Sequence, residues 1–160
     1  MNNELTAKRL RSLLTFDYES GLFYSTRSDL RRSVGSITKH GYVTLKIDGR
    51  THMVHRLAWL YDKGEWPKGQ IDHINGNRSD NRIENLRDVD QTTNMQNQRS
   101  SHVDCASKLA GTYFHKRIGK HYAQIRVNKV LKHLGYFETP EEAHSAYLKA
   151  KRELHPGCTI

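Results

Sequence analysis

The chain has 160 residues, of which 36% are hydrophobic and 27% are charged, and this composition is typical of a folded protein and excludes a disordered one. Its 26 Lys and Arg residues exceed its 17 Asp and Glu residues, so the formal net charge is +9 and a polyanionic partner is expected. Nucleic acid is favoured over an anionic membrane, because the basic residues do not lie along one long amphipathic helix.

The two cysteines, Cys105 and Cys158, are too few for a disulfide framework or a four-cysteine zinc site. The N-terminal segment MNNELTAKRLRSLL lacks the apolar stretch of a secretion signal, and no run of about eighteen apolar residues is present. We therefore expect an intracellular, cytoplasmic protein that neither spans nor binds a membrane.

Hydrophobic periodicity predicts a sequence of short elements in the first hundred residues. They are a helix over 5–14, a turn over 16–21, a strand over 22–24, a β-hairpin with arms 42–47 and 51–54, and a helix over VHRLAWLYDKG. Asp48-Gly49 supplies the hairpin turn, and Gly64 ends the helix. The basic segment 27–40 predicts a loop that either meets phosphates or is only solvated.

The last third of the chain predicts a separate module. Residues 98–110 lack periodicity and are the expected linker, with a domain boundary near residue 105. Three strand-like runs follow, at 113–115, 121–127 and 132–137, and Thr139-Pro140 opens a capped helix that ends at Pro156-Gly157. The predicted fold class is α+β, with one domain over 1–104 and a small three-stranded antiparallel sheet with one packed helix over 105–160.

The segment 71–97, IDHINGNRSDNRIENLRDVDQTTNMQN, is too polar for a core. Hydrolysis of a phosphodiester requires a base with a near-neutral pKa and a hard cation that stabilises charge on phosphate. Asp72 and Asn94 offer oxygen ligands for such a cation. His73 is a candidate base, and on an extended backbone it points away from the side that carries Asp72.

These residues carry a resemblance to a known family. VHRLAW, GQIDHINGNRSDNRIENLR and QTTNMQNQR together resemble HNH endonucleases of the phage and intron-encoded homing type, over about residues 16–99 with a core motif at 52–99. The resemblance implies a ββα-metal fold in which His73 is the general base and Asp72 the first metal ligand. It also implies that Asn85 orients the histidine and braces the loop, and that Asn94 binds the metal from a helix.

The chain departs from many relatives at the last motif position, where Asn94 replaces a histidine, and it lacks the cysteines of a structural zinc site. We therefore expect one divalent ion, Mg²⁺ or Mn²⁺, and no structural zinc. Hydrophobic packing must then hold the small domain together. The residues expected in that packing are Leu57, Trp59, Ile71, Ile83, Leu86 and Val89.

Several polar residues near the motif have a structural interpretation beside the functional one. His55 and Arg56 either touch the scissile phosphate or, more simply, pack and solvate the start of a helix. Asn97 either supports Asn94 or lies on the helix surface. A further group is expected to form turns by bonding its own backbone, and it comprises Asn75, Asn77, Asp80 and Asn81.

Residues 111–155 resemble the DNA-binding domain of plant Apetala and ethylene-response factors, on the matches YAQIRV and HLGYFETPEEAHSAY. The resemblance implies that the sheet enters the major groove of double-stranded DNA, although the first strand departs from the plant pattern. The expected DNA-binding residues are His115, Lys116, Arg117, Gln124, Arg126 and Lys132. The residues expected in the core instead are Tyr122, Ile125 and Tyr136.

The resulting hypothesis is a site-specific DNA endonuclease, of phage or intron homing type, that nicks or cuts double-stranded DNA. For a phage gene, the cytoplasm would be that of the host. A monomer is favoured and a dimer is the alternative. One rival is a non-catalytic regulator of double-stranded DNA with a relic HNH domain; another is an RNA-directed protein, although the sequence shows no clear platform for stacking single-stranded bases.

Overall fold

The structure is a computed structural model that describes residues 5–27, 33–97, 109–155 and 157–159. The chain divides into two compact units, Met1–Gln91 and Thr92–Ile160. The predicted linker falls almost entirely on residues 98–108, which include Cys105 and lie outside the described residues. Pro156, at the predicted end of the last helix, also lies outside them. The boundary near residue 105 therefore stays a prediction.

The first unit begins with helix α1 (Ala7–Leu13), whose N-terminus is capped by the hydroxyl of Thr6 accepting from the backbone N–H of Arg9 at 3.2 Å. A three-stranded antiparallel sheet follows, formed by β1 (Leu14–Asp17), β2 (Leu22–Ser25) and β3 (Ser33–Val34). The predicted turn over 16–21 starts two residues too early, because Phe16 and Asp17 still belong to β1 and pair with Phe23 and Leu22.

The predicted hairpin and helix in the middle of this unit are confirmed. Strands β4 (Ser36–Ile37), β5 (Val43–Ile47) and β6 (Arg50–Met53) form a second antiparallel sheet in that order. Asp48 and Gly49 have φ values of 45° and 81°, as a tight two-residue hairpin turn requires. Helix α2 (Val54–Lys63) follows directly, and Gly64 ends it in the left-handed conformation with a φ of 81°.

A two-stranded antiparallel ribbon completes the unit. Strand β7 (Gln70–His73) pairs with β8 (Leu86–Val89), and a 3-10 turn at Ile83–Asn85 leads into β8. The polar loop 74–82 joins the two sides of this ribbon. Asp72 and His73 therefore lie at the end of β7, directly before the loop.

The core of the first unit lies between α1, α2 and the sheets. Leu57, Ile71 and Leu86 are buried as predicted, while Trp59 and Ile83 are partly buried against the same cluster. Phe16, Phe23 and Tyr61 extend the core through ring contacts with centroid distances between 4.8 and 5.8 Å. Such aromatic pairs add to the stabilisation that burial alone provides.

The second unit contains the predicted three strands and helix. Strands β9 (Thr112–His115), β10 (Lys120–Val127) and β11 (Val130–Phe137) form an antiparallel sheet with β10 in the centre. Helix α4 (Pro140–Leu154) packs on β10, and Thr139 and Glu142 cap it by exchanging hydrogen bonds. Helix α3 (Gln91–Gln96) begins at the last residue of the first unit.

The observed elements agree with a mixed α and β fold of small antiparallel sheets. Within the described parts of the chain, no helix is long and apolar enough to cross a membrane.

Candidate functional site

The β7–β8 ribbon positions the Asp-His pair. Asp72 lies opposite Arg87 and His73 lies opposite Leu86 in the antiparallel register. The two side chains are 7% and 5% exposed, so both sides of this short strand are covered. Because neighbouring residues of a strand point to opposite sides, the pair presents its carboxylate and its imidazole in different directions.

Asp72 forms an ion pair with Arg87 across the ribbon. Its Oδ2 atom accepts from Nε of Arg87 at 2.9 Å and from Nη2 at 2.7 Å. The guanidinium compensates a carboxylate charge that would otherwise be costly to bury. Arg87 cannot be singled out from the sequence, because its position opposite Asp72 follows only from the strand register.

The imidazole of His73 contacts Asn81, an asparagine of the loop 74–82. Its Nε2 atom lies 3.4 Å from Oδ1 of Asn81, a side chain with 0% exposure. Nδ2 of Asn81 donates to the carbonyl of Ser79 at 3.0 Å, which turns Oδ1 towards the imidazole. With Oδ1 as the acceptor, Nε2 carries the ring proton, and Nδ1 carries the lone pair that can accept another.

The surroundings keep this imidazole neutral at pH 7. Burial lowers the pKa of His73 below its ordinary value of 6.5, and Arg78 lowers it further. The hydrogen bond to Asn81 and the carboxylates of Asp72 and Asp80 oppose the effect of burial without cancelling it. A neutral imidazole at this position can act as a base, as hydrolysis requires.

Asn85 ties the loop to the ribbon. Its Oδ1 atom accepts from the backbone N–H of Asn75 at 2.9 Å, and its Nδ2 atom donates to the carbonyl of Asp80 at 2.8 Å. Its own carbonyl accepts from the N–H of Ile74 at 2.9 Å. These contacts brace the loop, whereas the asparagine that bonds the imidazole of His73 is Asn81.

The rest of the loop is held by short-range polar bonds, as predicted for its turn-forming residues. Asn75 Oδ1 accepts from the N–H of Asn77 at 2.8 Å, and Asn77 Oδ1 accepts from the N–H of Ser79 at 3.1 Å. Hydrogen bonds from Arg82 lower the pKa of Asp80 to about 2. Asn81, one of the four predicted turn formers, also bonds the imidazole of His73.

Two further rings lie beside His73. His55 meets it edge to face, with centroids 5.2 Å apart and an interplanar angle of 86°. Tyr42 lies 5.5 Å from His55 and 6.2 Å from His73, and the guanidinium of Arg78 lies 4.9 Å above the ring of Tyr42. The start of α2 therefore packs against His73, which favours the packing interpretation of His55.

His55 is itself buried and neutral. It is 8% exposed, and its Nδ1 atom has no hydrogen-bond partner among the described residues. Burial lowers its pKa to about 4, with smaller contributions from His73 and Arg56. Arg56 lies over the Trp66 ring at 5.7 Å and donates to the carbonyl of Gly69 at 3.4 Å, so the described contacts give it a structural role.

The expected metal ligands fit a hard divalent ion in their chemistry. Asp72 supplies a carboxylate and Asn94, on α3, a carboxamide, and Mg²⁺ takes few protein ligands while retaining several waters. Within the described ranges, no group of three or more His, Cys, Asp or Glu side chains is arranged to hold a metal. Asp72 lies in the first compact unit and Asn94 in the second, and their use as a pair of ligands stays a prediction.

The sheet of the second unit separates the predicted DNA-binding residues. His115, Gln124 and Arg126 share the face that lies away from α4, whereas Lys132 pairs with buried Ile125 and belongs to the other side of the pleat. Lys116 and Arg117 lie in the exposed turn between β9 and β10.

The expected core of this unit is only partly correct. Ile125 is 2% exposed, as predicted, but Tyr136 is 49% exposed and Tyr122 lies on the same open face. The prediction was wrong for both tyrosines, because Ala123 and Ile125 set which side of β10 faces the helix.

Residues 52–96 match the family model described as HNH endonuclease. A solved structure of DNA binding and cleavage by the HNH homing endonuclease I-HmuI is 32% identical, with a TM-score of 0.44, and the match covers 54% of this chain and 51% of that one. The chain thus spans about half the length of the protein in that structure. No curated protein matches the chain. The chain contains an HNH endonuclease domain over residues 52–96.

Proposed function

We propose that the protein is a metal-dependent endonuclease that hydrolyses phosphodiester bonds in double-stranded DNA. The observation that supports this most directly is the buried, neutral imidazole of His73, which lies next to the buried carboxylate of Asp72 and is held by Asn81. The pair lies inside the segment that matches the HNH family model. A core strand with no catalytic task would not normally bury these two groups side by side.

In the proposed reaction, His73 is the general base. Nδ1 accepts a proton from a water molecule as the water oxygen attacks phosphorus, and the bond from phosphorus to one sugar oxygen breaks. That oxygen leaves with the bonding electron pair and takes a proton from solvent. Asn81 keeps the ring in the tautomer that the step needs, because it accepts the proton of Nε2.

Asp72 and Asn94 are the residues that would hold a divalent cation, Mg²⁺ or Mn²⁺. When bound, the cation supplies positive charge that stabilises the phosphate oxygens and the leaving oxygen. Asn85 contributes indirectly, because its bonds to Asn75 and Asp80 fix the loop that carries Asn81.

The second unit is proposed to bind the DNA. Residues 112–137 contain no Asp or Glu, and they contain six basic residues, Lys116, Arg117, Lys120, Arg126, Lys129 and Lys132. On the open face, His115, Gln124 and Arg126 have the donor and acceptor groups for base edges. Lys116 and Arg117 are assigned to phosphates, which set affinity rather than sequence preference, whereas Lys132 faces the other side of the sheet and is left out of this interface.

The homing role follows from the resemblance of the motif to phage and intron-encoded HNH enzymes, and it is part of the proposal. A monomer has one such centre and would nick one strand, whereas a dimer could cut both. The alternative function is a regulator of double-stranded DNA whose HNH domain is a relic. It predicts the same salt-dependent binding without strand cleavage.

The test is conversion of supercoiled plasmid that carries the protein's own genomic neighbourhood. Mg²⁺, Mn²⁺ and EDTA are compared for wild type, His73→Ala and Asp72→Ala, with His52→Asn as a histidine control on β6. The proposal predicts metal-dependent nicked or linear product for wild type and the control, and none for the two site variants. Binding to duplex DNA without cleavage in any metal would support the relic regulator instead.

A further inference from the structure

Five aromatic rings form a connected group on the open face of the β9–β11 sheet. Tyr113, Tyr122 and His133 form a near-parallel stack across all three strands, with centroid distances of 5.3 and 5.7 Å and interplanar angles of 26° and 16°. Tyr136 lies 4.8 Å from His133, and His115 lies 5.8 Å from Tyr136. We name this group, Tyr113, His115, Tyr122, His133 and Tyr136, the ring platform.

The fold keeps these rings out of the core. The other face of β10 presents Ala123 and Ile125, which are 0% and 2% exposed, towards α4. Tyr136 and Tyr113 remain 49% and 37% exposed. Cross-strand aromatic pairs do stabilise sheets, but about half of the Tyr136 surface is left for a ligand.

The charge around the platform identifies the kind of ligand. Of the six Lys and Arg residues of 112–137, Lys120 forms an ion pair with Glu138 at 2.6 Å and Lys132 belongs to the opposite face of the sheet. Arg126 is exposed on the same face as the platform, and Lys116 and Arg117 lie in the adjoining turn. The exposed outer rings of this group, with the cationic side chains of Arg126, Lys116 and Arg117 near them, suit a chain of flat bases joined by phosphates.

The platform suits unpaired bases better than paired ones. A duplex presents only base edges in its grooves, which polar side chains contact. An unpaired base exposes its flat face, which can stack on a protein ring. The Tyr113, Tyr122 and His133 stack can be extended by such a base, while Gln124 on the same face can bond its edge.

We propose that the ring platform binds an unpaired stretch of DNA, with bases stacked on the tyrosine and histidine rings and phosphates held by the basic residues around them. This inference rests on the DNA-binding role proposed above for the second unit. It specifies the state of the DNA that the open face takes: a locally melted or single-stranded segment.

The experiment measures affinity by fluorescence anisotropy with the full chain carrying His73→Ala, in EDTA, so that cleavage plays no part. The probes are a labelled oligothymidylate, an abasic strand of the same length, and a duplex of that length, all at one salt concentration. We expect the oligothymidylate to bind at least about fivefold more tightly than the abasic strand, because the two share their phosphates and differ in their bases.

Tyr136→Leu and Tyr113→Leu should each weaken oligothymidylate binding by about fivefold or more and leave the abasic strand unaffected. Phe114→Leu is the matched control, since Phe114 is 51% exposed on the same strand as Tyr113 but belongs to the opposite face. Circular dichroism confirms that each variant keeps its sheet.

Equal affinity for the abasic strand and oligothymidylate, or unchanged binding by both tyrosine variants, would overturn the platform. If the protein then still binds the duplex tightly, the DNA-binding role of the second unit stands, and only the binding of unpaired bases by the ring platform is refuted. Failure to bind any of the three probes would remove both.

Discussion

Arg87 places both Nε and Nη2 on a single oxygen of Asp72, at 2.9 and 2.7 Å, from the opposite strand of the β7–β8 ribbon. The carboxylate proposed to hold a divalent cation therefore already has a cationic partner. A metal ion and the guanidinium would both stabilise the same buried charge. The ion pair thus gives a way to detect the metal through stability as well as through activity.

Replacing Arg87 with methionine should destabilise the protein in EDTA by about 3 kcal/mol, because a carboxylate that is 7% exposed loses its guanidinium. Mg²⁺ or Mn²⁺ should recover part of that loss, and should stabilise Arg87→Met more than wild type. The measurement is the midpoint of urea unfolding with and without metal. The double variant Asp72→Asn with Arg87→Met is the control and should not respond; an equal metal response in all three proteins would contradict the assignment of Asp72.

The pH dependence of cleavage should reflect the lowered pKa of His73. The base must be neutral to accept a proton, so the rate falls as the pH drops through that pKa. Because burial lowers the pKa from 6.5, the fall should begin below the pH expected for an ordinary imidazole. Single-turnover rates across the acid range measure this limb.

Asn81→Ala should lower the pH-independent cleavage rate, the plateau of the pH profile, by about tenfold. It should also move the acid limb of that profile to lower pH. The plateau falls because the ring loses its anchor, and the limb moves because the hydrogen bond that His73 donates to Asn81 raises the pKa of His73. Asn77→Ala, an exposed asparagine in the same loop, is the control. An acid limb that stays in place in Asn81→Ala would show that this bond does not tune the base.

Gly21 should be intolerant of a side chain. It has a φ of 67°, and an added Cβ would lie 2.6 Å from the backbone nitrogen of Arg82 and 2.8 Å from the carbonyl carbon of Asn81. Gly49→Ala is the matched control, because its φ is 81° and no atom lies within 4 Å of the added carbon. Gly21→Ala should therefore lower stability and cleavage well beyond Gly49→Ala, which carries only the cost of its backbone conformation, about 1 kcal/mol. Equal losses of stability and cleavage in the two variants would show that the close contact between Gly21 and the loop 74–82 is not required.

His55 should make the fold sensitive to acid. Its pKa is about 4 in the folded protein against an ordinary value of 6.5, so the unfolded chain binds more protons between those two values. Its contribution to stability is complete above pH 6.5 and is lost as the pH falls towards 4, by about 1.4 kcal/mol per pH unit at most. His55→Phe should flatten the pH dependence of the urea midpoint in this window, with exposed His40→Phe as the control. An unchanged slope in His55→Phe would contradict the burial of a neutral ring.

Local chemistry made many elements predictable from sequence. Asp48-Gly49 specifies a hairpin turn, and Thr139-Pro140 with Glu142 specifies a helix start, because each signal lies within a few residues. Arg87 and Asn81 could not be assigned in this way. Their roles depend on the register of β7 with β8 and on the path of the loop, which no local pattern encodes.

Hydrophobicity also misassigned the faces of the second sheet. Tyr122 and Tyr136 are large and apolar enough to suggest a core, but the small side chain of Ala123 and the branched one of Ile125 face the helix. Alternation determines which residues share a face without determining which face is covered. Only the packed position of α4 decides that, and the same decision exposes the ring platform.

The most direct test of the central claim is chemical rescue at His73. His73→Gly removes the proposed base and leaves a space in which free imidazole can accept the proton from water. The measured quantity is the single-turnover rate of strand cleavage at saturating protein and metal, with and without imidazole. The account predicts that His73→Gly binds the duplex but does not cleave it, and that imidazole restores cleavage in proportion to its neutral form. Cleavage by His73→Gly at the wild-type rate without imidazole would contradict it.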